Sequence, residues 1–358
     1  MKKILVDCHV FDQSLQGTTS YIKGIYLELI KDKSKIFYFV SHNYNLQEIF
    51  GIQHNVNYLK YKSKNKFYRL SIELPQIIKR HKIDYAHFQY IVPPIKNCKY
   101  IVTLHDVLFL DYPSYFPFIY KVSKKILYNL SAKYSDIVLT VSEYSKQRIQ
   151  YHFKVNNISI TPNAVDSSFF DSHDKDIIRA DIKNRFKAEN YFLFVSRWEP
   201  RKNHYLLLKV FVENEFYKNY NLVFVGSEAI EDQRYNSYYQ SLSQETKNKI
   251  FKFTKLNFED LLFFTKAATL CVYPSIAEGF GIPPLEAIAS ETPSICSNTT
   301  AMSDFCFMKN NQFDPNSQKD MADKIKIGLS DKNLFEKKLA LLEKYSWEKS
   351  AQVLNDLL

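Results

Sequence analysis

The feature of this chain that most constrains its fold is a regular alternation of short apolar runs with helical runs. In the first half the strand candidates include KILVDC, KIFYFVS, IDYAHF and DIVLTV, and helical candidates such as TSYIKGIYLELIKD lie between them. This alternation is typical of a mostly parallel sheet with helices on both faces. A second alternating series runs from YFLFVS through NLVFVG and LCVYPS to SICSN. We therefore predict an α/β fold with two doubly wound parallel sheets.

A polar, charged connection separates the two series. It reads NAVDSSFFDSHDKDIIRADIKNRF and begins near residue 165. With 358 residues, of which 46 % are hydrophobic, the chain is long and apolar enough to form two cores. The simplest interpretation is two similar α/β halves joined near that position.

The bulk composition limits the class of protein. A formal net charge of +10 indicates an anionic partner such as a phosphate, a lipid headgroup or a nucleic acid, although a lysine-rich genome would produce the same charge. The 5 cysteines lack metal-ligand and C-x-x-C spacing, which suits a reducing cytoplasm. Asp7 and Asp12 interrupt the first apolar run, so we interpret it as a strand and not as a signal peptide. No apolar run is long enough to span a bilayer.

The most informative stretch is AEGFGIPPLEA, at 277–287. The chain has only 7 glycines, yet Gly279 and Gly281 both lie here, beside two prolines and two glutamates. The order is strand, glycine turn and helix start, with Pro283 or Pro284 suited to the first helical position. The free N–H groups and the dipole of such a helix start form an anion site. The stretch therefore predicts a phosphate site.

Two carboxylates, Glu278 and Glu286, lie beside this predicted anion site. The simple interpretations are a solvated loop residue for Glu278 and a first-turn acid that favours the helix dipole for Glu286. In the alternative interpretation both face neutral hydroxyls, because a carboxylate accepts two hydrogen bonds in a geometry that fits a vicinal diol. A ligand with diols at both ends and a diphosphate between them is a nucleotide sugar.

Polar and glycine residues recur where predicted strands end, which is where ligands bind in such sheets. They are His105 with Asp106, Arg197, Gly226 and Glu278, and Gly17 follows the first strand. A single histidine at a strand end is more often a packed residue, but several such ends in two halves predict a shared cleft. The EPRKN segment adds further cations, which would neutralise a diphosphate and its growing charge as it leaves.

These residues resemble the retaining glycosyltransferases of family 4, also called group 1, and in particular the bacterial polysaccharide and O-antigen mannosyltransferases. The resemblance rests on the E-x7-E pattern of AEGFGIPPLEA and on FVSRWEPRKNHYLLLKVF, IVTLHDVLFLDYPSYF, LTVSEYSKQRI, ITPNAVD and YSWEKSAQVL. It covers nearly the whole chain, in the same order. It implies the GT-B fold, in which two Rossmann-like domains face a cleft. The expected boundaries are 1–165 for the acceptor side, 166–340 for the nucleotide-sugar side, and 341–358 for a helix that crosses back.

The resemblance assigns catalytic roles to four side chains. Arg197 and Lys202 would bind the donor diphosphate and stabilise it as it leaves. Glu278 would hold hydroxyls of the donor sugar, and His105 would contact that sugar from the N-terminal domain. No metal is required in this scheme, and no His, Asp or Glu cluster in the sequence has a metal-binding pattern.

Other residues would bind the substrates. Glu286 would hold the ribose hydroxyls. The backbone of Phe280, Gly281 and Ile282 would cradle the sugar and the distal phosphate. Gly17, with Thr18, would form the loop that lets the sugar and the acceptor approach. Lys255 and Leu256 would line the base pocket. Two positions depart from the family pattern: Gln16 precedes Gly17 where relatives often have adjacent glycines, and Ala164 replaces the glycine of PNGVD.

The function implied is transfer of a hexose, with retained configuration, from a nucleotide diphosphate sugar to a growing, lipid-linked cell-surface glycan. No cofactor is expected beyond the donor, which would be GDP-mannose or a UDP-sugar. The alternative is a nucleotide-sugar epimerase or a phosphorylase on the same architecture. A dinucleotide-dependent dehydrogenase is disfavoured because GFG at 279–281 lacks the third glycine of its motif. A nucleic-acid binder would not explain the paired carboxylates.

The segment 58–69, YLKYKSKNKFYR, carries five basic residues and no acid, interleaved with aromatic residues. Rings beside lysines suit a membrane interface, where the ammonium groups meet anionic lipids. The alternative interpretation is a solvated loop. We therefore expect a cytoplasmic enzyme that attaches peripherally to the inner face of the plasma membrane through an anionic lipid surface.

Overall fold

The computed structural model describes residues 1–12, 17–42 and 45–358. Within these ranges the chain divides into two compact units. The first joins Met1–Ala164 to Tyr345–Leu358, and the second comprises Val165–Lys344. Each unit is a parallel sheet flanked by helices, which confirms the predicted fold class.

The first unit is built on a parallel sheet. Its strands are β1 (Lys2–Asp7), β2 (Lys35–Ser41), β3 (Val56–Lys60), β4 (Tyr85–Gln89), β5 (Lys99–Thr103), β6 (Ile137–Thr140) and β7 (Ile158–Ile160). Its helices are α1 (Gly17–Leu29), α2 (Gln47–Phe50), α3 (Lys66–Tyr68), α4 (Leu74–His81), α5 (Leu108–Asp111), α6 (Phe118–Tyr134) and α7 (Glu143–Phe153). A π-helical turn, Arg69–Glu73, connects α3 to α4. Among the described residues seven strands join in the order β3-β2-β1-β4-β5-β6-β7.

The centre of this sheet is covered on both faces. Ile4, Leu5 and Val6 of β1 are completely buried, because side chains on both sides of a doubly wound sheet pack against helices. Leu5 lies opposite Tyr38 of β2 and Ala86 of β4. The strand order reverses between β1 and β4, and in such sheets the crevice for ligands opens at the carboxyl ends of the strands at that point.

The second unit repeats this plan. Its strands are β8 (Tyr191–Val195), β9 (Asn221–Val225), β10 (Ile250–Phe253), β11 (Leu270–Tyr273), β12 (Ser294–Ser297) and β13 (Gln312–Phe313). Its helices are α8 (Lys175–Phe186), α9 (His204–Glu213), α10 (Gln233–Ser241), α11 (Gln244–Lys247), α12 (Phe258–Ala267), α13 (Ile282–Ala289), α14 (Gln318–Leu329) and α15 (Leu334–Lys344). Among the described residues six parallel strands join in the order β10-β9-β8-β11-β12-β13, with the reversal between β8 and β11.

The last helix, α16 (Trp347–Leu357), belongs to the first unit, where it packs on α1. The contact requires a glycine at position 24, because a Cβ there would lie 2.1 Å from Cδ2 of Trp347. The hydroxyl of Ser350 donates to the carbonyl oxygen of Pro162 at 2.7 Å, just beyond β7. None of the helices in the described ranges is long and apolar enough to cross a membrane.

Candidate functional site

In the second unit, two loops meet at the point where the strand order reverses. One loop follows β8 and carries Arg197 to Lys202, and the other follows β11 and carries Glu278. The main-chain N–H of Ile276 donates to the carbonyl oxygen of Arg201 at 2.8 Å, and Nη1 of Arg201 donates to the carbonyl oxygen of Ala277 at 2.7 Å. These bonds tie the loops together and bring side chains distant in sequence into one cluster.

The centre of this cluster is an ion pair. Nζ of Lys202 lies 2.5 Å from Oε1 of Glu278, and the side chains are only 12 % and 17 % exposed. Nη1 of Arg201 lies 3.6 Å from the other oxygen, Oε2, of Glu278. Burial by itself would raise the pKa of Glu278, but the charges of Lys202 and Arg201 lower it below its ordinary value. Glu278 is therefore a carboxylate at neutral pH.

Burial lowers the pKa of Lys202 from its ordinary value, and the charge of Glu278 opposes that effect. The pair is held in position from both sides, since the main-chain N–H of Glu278 donates to Oγ1 of Thr300 at 2.9 Å. The simple interpretation of Glu278 as a solvated loop residue is therefore wrong. Its carboxylate is half-buried and shared between two cations.

A second carboxylate, Glu199, links the arginines of the same loop. Its Oε1 lies 2.9 Å from Nη2 of Arg197, and its Oε2 lies 2.8 Å from Nε of Arg201. Arg197 remains 50 % exposed, so its guanidinium reaches solvent beside the buried pair. Glu199 was missed in the sequence, although an acidic residue between two arginines of one turn indicates that it can form an ion pair with both. Three cations and two carboxylates leave this cluster with a net positive charge.

The glycine turn leads into α13 as expected, but the helix begins one or two residues earlier than predicted, at Ile282 instead of Pro283 or Pro284. Gly281 is the N-cap, with φ of +96°, and a Cβ at this position would lie 2.8 Å from Cγ of Met302. Ile282 is the first helical residue, so the prolines Pro283 and Pro284 occupy the second and third positions. Because proline has no N–H, two of the donors expected at this helix start are missing. An anion here would depend on the N–H groups of Gly281 and Ile282 and on the helix dipole.

Glu286 is the fifth residue of α13, so the interpretation as a first-turn acid is wrong. Burial, and then the charge of Asp166, raise its pKa to about 7. In the described part of the chain no lysine or arginine pairs with this carboxyl group. Asp166, which lies in the connection between the two series, was missed because only the fold brings it near α13. Glu286 is thus a half-buried acceptor that a ligand with hydroxyl groups could satisfy.

His105 lies in the first unit, just beyond β5, and is buried. Its Nε2 lies 2.6 Å from Oε1 of Gln89, and its ring contacts those of Tyr21 and Tyr90 at centroid distances of 4.9 and 5.3 Å. Burial lowers its pKa to about 3, so the ring is neutral at physiological pH. Because the amide oxygen of Gln89 accepts, Nε2 carries the proton and Nδ1 is the acceptor nitrogen. Gln89 was missed, although it ends β4 and satisfies the strand-end rule that identified His105.

A buried hydrogen-bond network lies next to this histidine. Nδ1 of His87 is 2.7 Å from the hydroxyl of Tyr26, and its Nε2 is 2.7 Å from Oγ1 of Thr103. The hydroxyl of Tyr21 lies 3.2 Å from the same Thr103 oxygen and 2.6 Å from Oγ1 of Thr161. Satisfied buried networks of this kind rigidify their surroundings. The network therefore holds Tyr21, and through it the His105 ring, in one position.

Four further predicted residues lie at a helix start of the first unit and in a loop of the second unit. Gly17 and Thr18 begin α1 in the first unit, and a Cβ on Gly17 would meet no atom within 4 Å among the described residues. Gln16, which precedes them, lies outside the described residues. Leu256 follows β10 and is half-buried, and Lys255 beside it is exposed.

Three other predicted positions have local structural roles. Gly226 ends β9 with φ of +151°, and a Cβ there would lie 2.0 Å from the carbonyl oxygen of Ser196, so only glycine fits. Oδ1 of Asp106 accepts from the N–H of Leu108 at the start of α5. Phe280 is buried, with its ring centroid 5.8 Å from that of Phe305. Across 1–12, 17–42 and 45–358, no group of three or more His, Cys, Asp or Glu side chains could hold a metal ion.

Two family models match this chain. The model described as glycosyl transferases group 1 matches residues 175–346. The model described as glycosyltransferase family 4 matches residues 17–169. Together they cover most of both units.

Curated relatives agree with these models. The chain is 34 % identical over 220 residues to the O-antigen chain mannosyltransferase RfbU of Salmonella typhimurium, covering 58 % of this chain and 54 % of that protein. It is 27 % identical over 280 residues to the O-antigen chain mannosyltransferase B of Escherichia coli, covering 74 % and 72 %. The match thus spans about half the length of the first of these relatives.

Solved structures share the fold over the whole chain. A glycosyltransferase from Rickettsia africae has a TM-score of 0.76 at 19 % identity, covering 99 % of this chain and 97 % of its own. The sucrose-phosphate synthase of Thermosynechococcus elongatus has a TM-score of 0.76 at 18 % identity, covering 100 % and 98 %. The Anabaena protein HepE, in complex with UDP and glucose, has a TM-score of 0.73 at 15 % identity, covering 100 % and 99 %. The chain belongs to the group 1, family 4 glycosyltransferases, and its two units have the GT-B fold.

Proposed function

We propose that this chain is a hexosyltransferase that takes its sugar from a nucleotide diphosphate donor and adds it to a growing cell-surface glycan. Mannose from GDP-mannose is the first candidate, because both curated relatives are named O-antigen mannosyltransferases. A UDP-sugar is the second candidate, because the HepE structure contains UDP and glucose. The relatives give no support to an epimerase or a phosphorylase.

The observation that carries this proposal is the ion-pair cluster at the strand reversal of the second unit. A diphosphate needs cations, and Arg197, Arg201 and Lys202 lie together there. The ammonium group of Lys202 has three N–H donors, so it can bind a phosphate oxygen and keep its bond to Glu278. Glu278 also has acceptor capacity left for sugar hydroxyls. One pair would therefore link recognition of the sugar to recognition of the phosphate.

We propose that the transfer retains the anomeric configuration. The bond between C1 of the sugar and the phosphate oxygen breaks, and its electron pair goes to the departing diphosphate. The acceptor hydroxyl oxygen forms the new bond to C1 on the same face, and its proton passes to the departing phosphate oxygen. Arg197 and Lys202 stabilise the charge that develops on that group, so no metal and no further cofactor are required.

His105 and Glu286 complete the proposed donor contacts. As a neutral ring with Nδ1 as acceptor, His105 suits a hydrogen bond from a sugar hydroxyl and does not suit a contact with phosphate. Glu286, a half-buried carboxyl group with no cation partner in the described residues, suits the two ribose hydroxyls. Gly17, Thr18 and Leu256 keep their expected roles at the acceptor loop and the base. A lipid-linked glycan at the inner face of the membrane is the proposed acceptor.

A thermal-shift panel tests the donor class. The full chain is melted with UDP, GDP, ADP and their sugars, each at saturating concentration. A ligand at one hundred times its Kd stabilises the folded state by about 2.7 kcal/mol, which is easily measured. We expect GDP and GDP-mannose to raise Tm most, and Lys202→Ala to remove the effect. A chain that no nucleotide stabilises would contradict the proposal.

A further inference from the structure

One helix of the first unit exposes an apolar surface. On α6 an apolar side chain is exposed at every fourth residue, and residues at this spacing form one stripe along a helix. Phe118 is 74 % exposed and its neighbour Ile119 is 81 % exposed. The residues that we call the α6 surface are Phe118, Ile119, Val122, Ile126, Leu130 and Tyr134. A soluble helix normally presents polar residues at such positions.

The stripe lies on the side of α6 that faces away from the core. The core contacts of α6 are made by Tyr128, Ser131 and Ala132, which are buried. At 100° per residue these three lie on the face opposite to Ile119 and Ile126. The stripe is therefore not an extension of the hydrophobic core. A contiguous exposed apolar patch of this kind marks an interaction site.

The charges around the α6 surface have one sign. The α6 sequence, FIYKVSKKILYNLSAKY, contains four lysines and no acidic residue. Asp136, two residues beyond the helix, is paired with Nζ of Lys96 at 2.8 Å. At the other end Asp111 of α5 is paired with Arg148 and His152. The acidic residues that flank the helix are thus neutralised, and the lysines determine its electrostatic character.

The basic segment 58–69 carries charge of the same sign as this helix. Burial, and then the positive charges of Lys124 on α6 and of Arg69, lower the pKa of Lys66. Phe67, the next residue, is 79 % exposed. Of the segment noted in the sequence, residues 58–60 lie in β3 and Tyr61 is buried, so its exposed part is 62–68. This part combines lysines with exposed aromatic side chains, as the α6 surface combines lysines with exposed apolar ones.

From this combination we infer that the α6 surface, together with the segment 62–68, is a docking surface for an anionic lipid bilayer. The apolar side chains enter the interface between headgroups and acyl chains, and the lysines contact the anionic headgroups. A second copy of this chain is a poorer occupant, because two lysine-bordered surfaces would repel each other. The inference does not depend on which sugar the chain transfers.

The second unit offers a matched control. Helix α15 also exposes three apolar side chains, Phe335, Leu339 and Leu342. Unlike α6, it contains the acidic residues Glu336 and Glu343. It therefore has similar apolar exposure without the uniform positive charge. We expect α15 to make no contact with anionic lipid.

Co-sedimentation with vesicles tests the inference on the full chain. Vesicles of phosphatidylcholine alone are compared with vesicles that also contain phosphatidylglycerol, at low and high salt. We expect sedimentation with the anionic vesicles at low salt and release at high salt. The α6 variant, Phe118→Ser with Ile119→Ser and Ile126→Ser, should lose at least about fivefold of the bound fraction. The α15 variant, Phe335→Ser with Leu339→Ser and Leu342→Ser, should bind like the wild type.

Two measurements keep the outcome decisive. Circular dichroism and the unfolding curve of each variant verify that both units are folded, because a nucleotide-induced thermal shift reports only on the second unit. Hydrogen exchange on the wild type, with and without anionic vesicles, needs no variant and should protect peptides of α6 and of 62–68. A wild type that stays in the supernatant at low salt, or an α6 variant that sediments unchanged, overturns the inference. If the wild type forms a dimer but does not bind vesicles, and only the α6 variant abolishes that dimer, the α6 surface is instead a contact between two copies of the chain.

Discussion

At the scale of residues, Glu278 and Glu286 have opposite electrostatic environments although they lie eight positions apart. Glu278 is held by Lys202 and Arg201, so its pKa is lowered. Glu286 has no cation partner in the described residues, and burial with the nearby Asp166 raises its pKa to about 7. At neutral pH one carboxylate is charged and the other is half-protonated. This difference makes their proposed ligands separable by experiment.

Glu286 gives a prediction about pH. A carboxyl group with a raised pKa is protonated below that pKa, so its ability to accept from ribose hydroxyls is complete above pH 7 and is lost as the pH falls through about 7. We expect the Kd of bare nucleoside diphosphate to rise by about fivefold to tenfold between pH 8 and pH 6, as titration of one group allows. Calorimetry across this range measures it.

Glu286→Gln is the matched variant for this test. The nucleotide's own phosphate also titrates near pH 6, but it does so equally with both proteins. The variant should bind weakly at every pH and lack the additional step near pH 7. Equal pH slopes for wild type and variant would contradict the assignment of Glu286 to the ribose. Glu278→Gln should leave binding of the bare nucleotide nearly unchanged and weaken binding of the intact sugar donor.

The Lys202 and Glu278 pair gives a second prediction, which separates stability from catalysis. Lys202→Ala leaves a half-buried carboxylate without its closest cation, so we expect a loss of about 2–3 kcal/mol of unfolding free energy, below the cost for fully buried pairs. Adding Glu278→Gln should recover most of that loss. Turnover should fall at least about tenfold in Lys202→Ala and in Arg197→Ala, and should stay low in the double variant. Urea unfolding and steady-state kinetics measure the two effects.

A double variant that recovered activity as well as stability would show that Lys202 serves only to neutralise Glu278. Near-normal turnover in both single variants, with saturating donor, would contradict the assignment of these cations to the phosphate.

At the scale of elements, the strands were predictable because each is a short apolar run bounded by polar residues. β13 was missed because two residues carry no pattern. The start of α13 was predicted one or two residues late. Proline is favoured at the first helical position, but the positive φ of Gly281 makes that residue the cap and Ile282 the first helical residue. Asp166 was missed for a different reason, because only the fold brings it near Glu286. Glu199 and Gln89 were missed although the sequence carries a signal for each: Glu199 lies between two arginines of one turn, and Gln89 ends a strand.

Helix α1 offers a comparison of two glycines within one element. Gly24 faces Trp347 of α16, and a Cβ would lie 2.1 Å from that ring, whereas Gly17 at the helix start has open space among the described residues. We expect Gly24→Ala to lower the unfolding free energy by about 1–3 kcal/mol through overpacking. Gly17→Ala should leave it unchanged or raise it by up to about 1 kcal/mol, since alanine is the better helix former. Thermal and urea unfolding measure both.

The activity of the Gly17→Ala variant then tests the acceptor-loop prediction. If substrates approach the main chain at Gly17, turnover falls while stability does not. If both stability and turnover are unaffected, Gly17 has no role in substrate binding. Equal destabilisation by both substitutions would contradict the packing of α16 on α1.

At the scale of the whole molecule, each unit places a different chemistry at the carboxyl ends of its strands. The first has a neutral, hydrogen-bonded histidine and, on α6, an apolar surface bordered by lysines. The second has the cations and carboxylates suited to a diphosphate and two diols. The resemblance found in the sequence predicted the GT-B fold, because several motifs in the family's order indicate a fold better than any single motif does. It did not predict the α6 surface, which is visible only once exposure is known.

The central claim is that this chain transfers a sugar from a nucleotide donor with retained configuration. Proton NMR of the full chain with GDP-mannose, or with UDP-glucose in parallel, and a panel of octyl glycosides as acceptors tests it most directly. We predict a new α-anomeric signal from the product, with nucleoside diphosphate released in equal amount, and loss of both in Lys202→Ala. A β-linked product would contradict retention. An epimerised donor, a free sugar phosphate, or turnover that does not depend on the acceptor would contradict the proposed transferase.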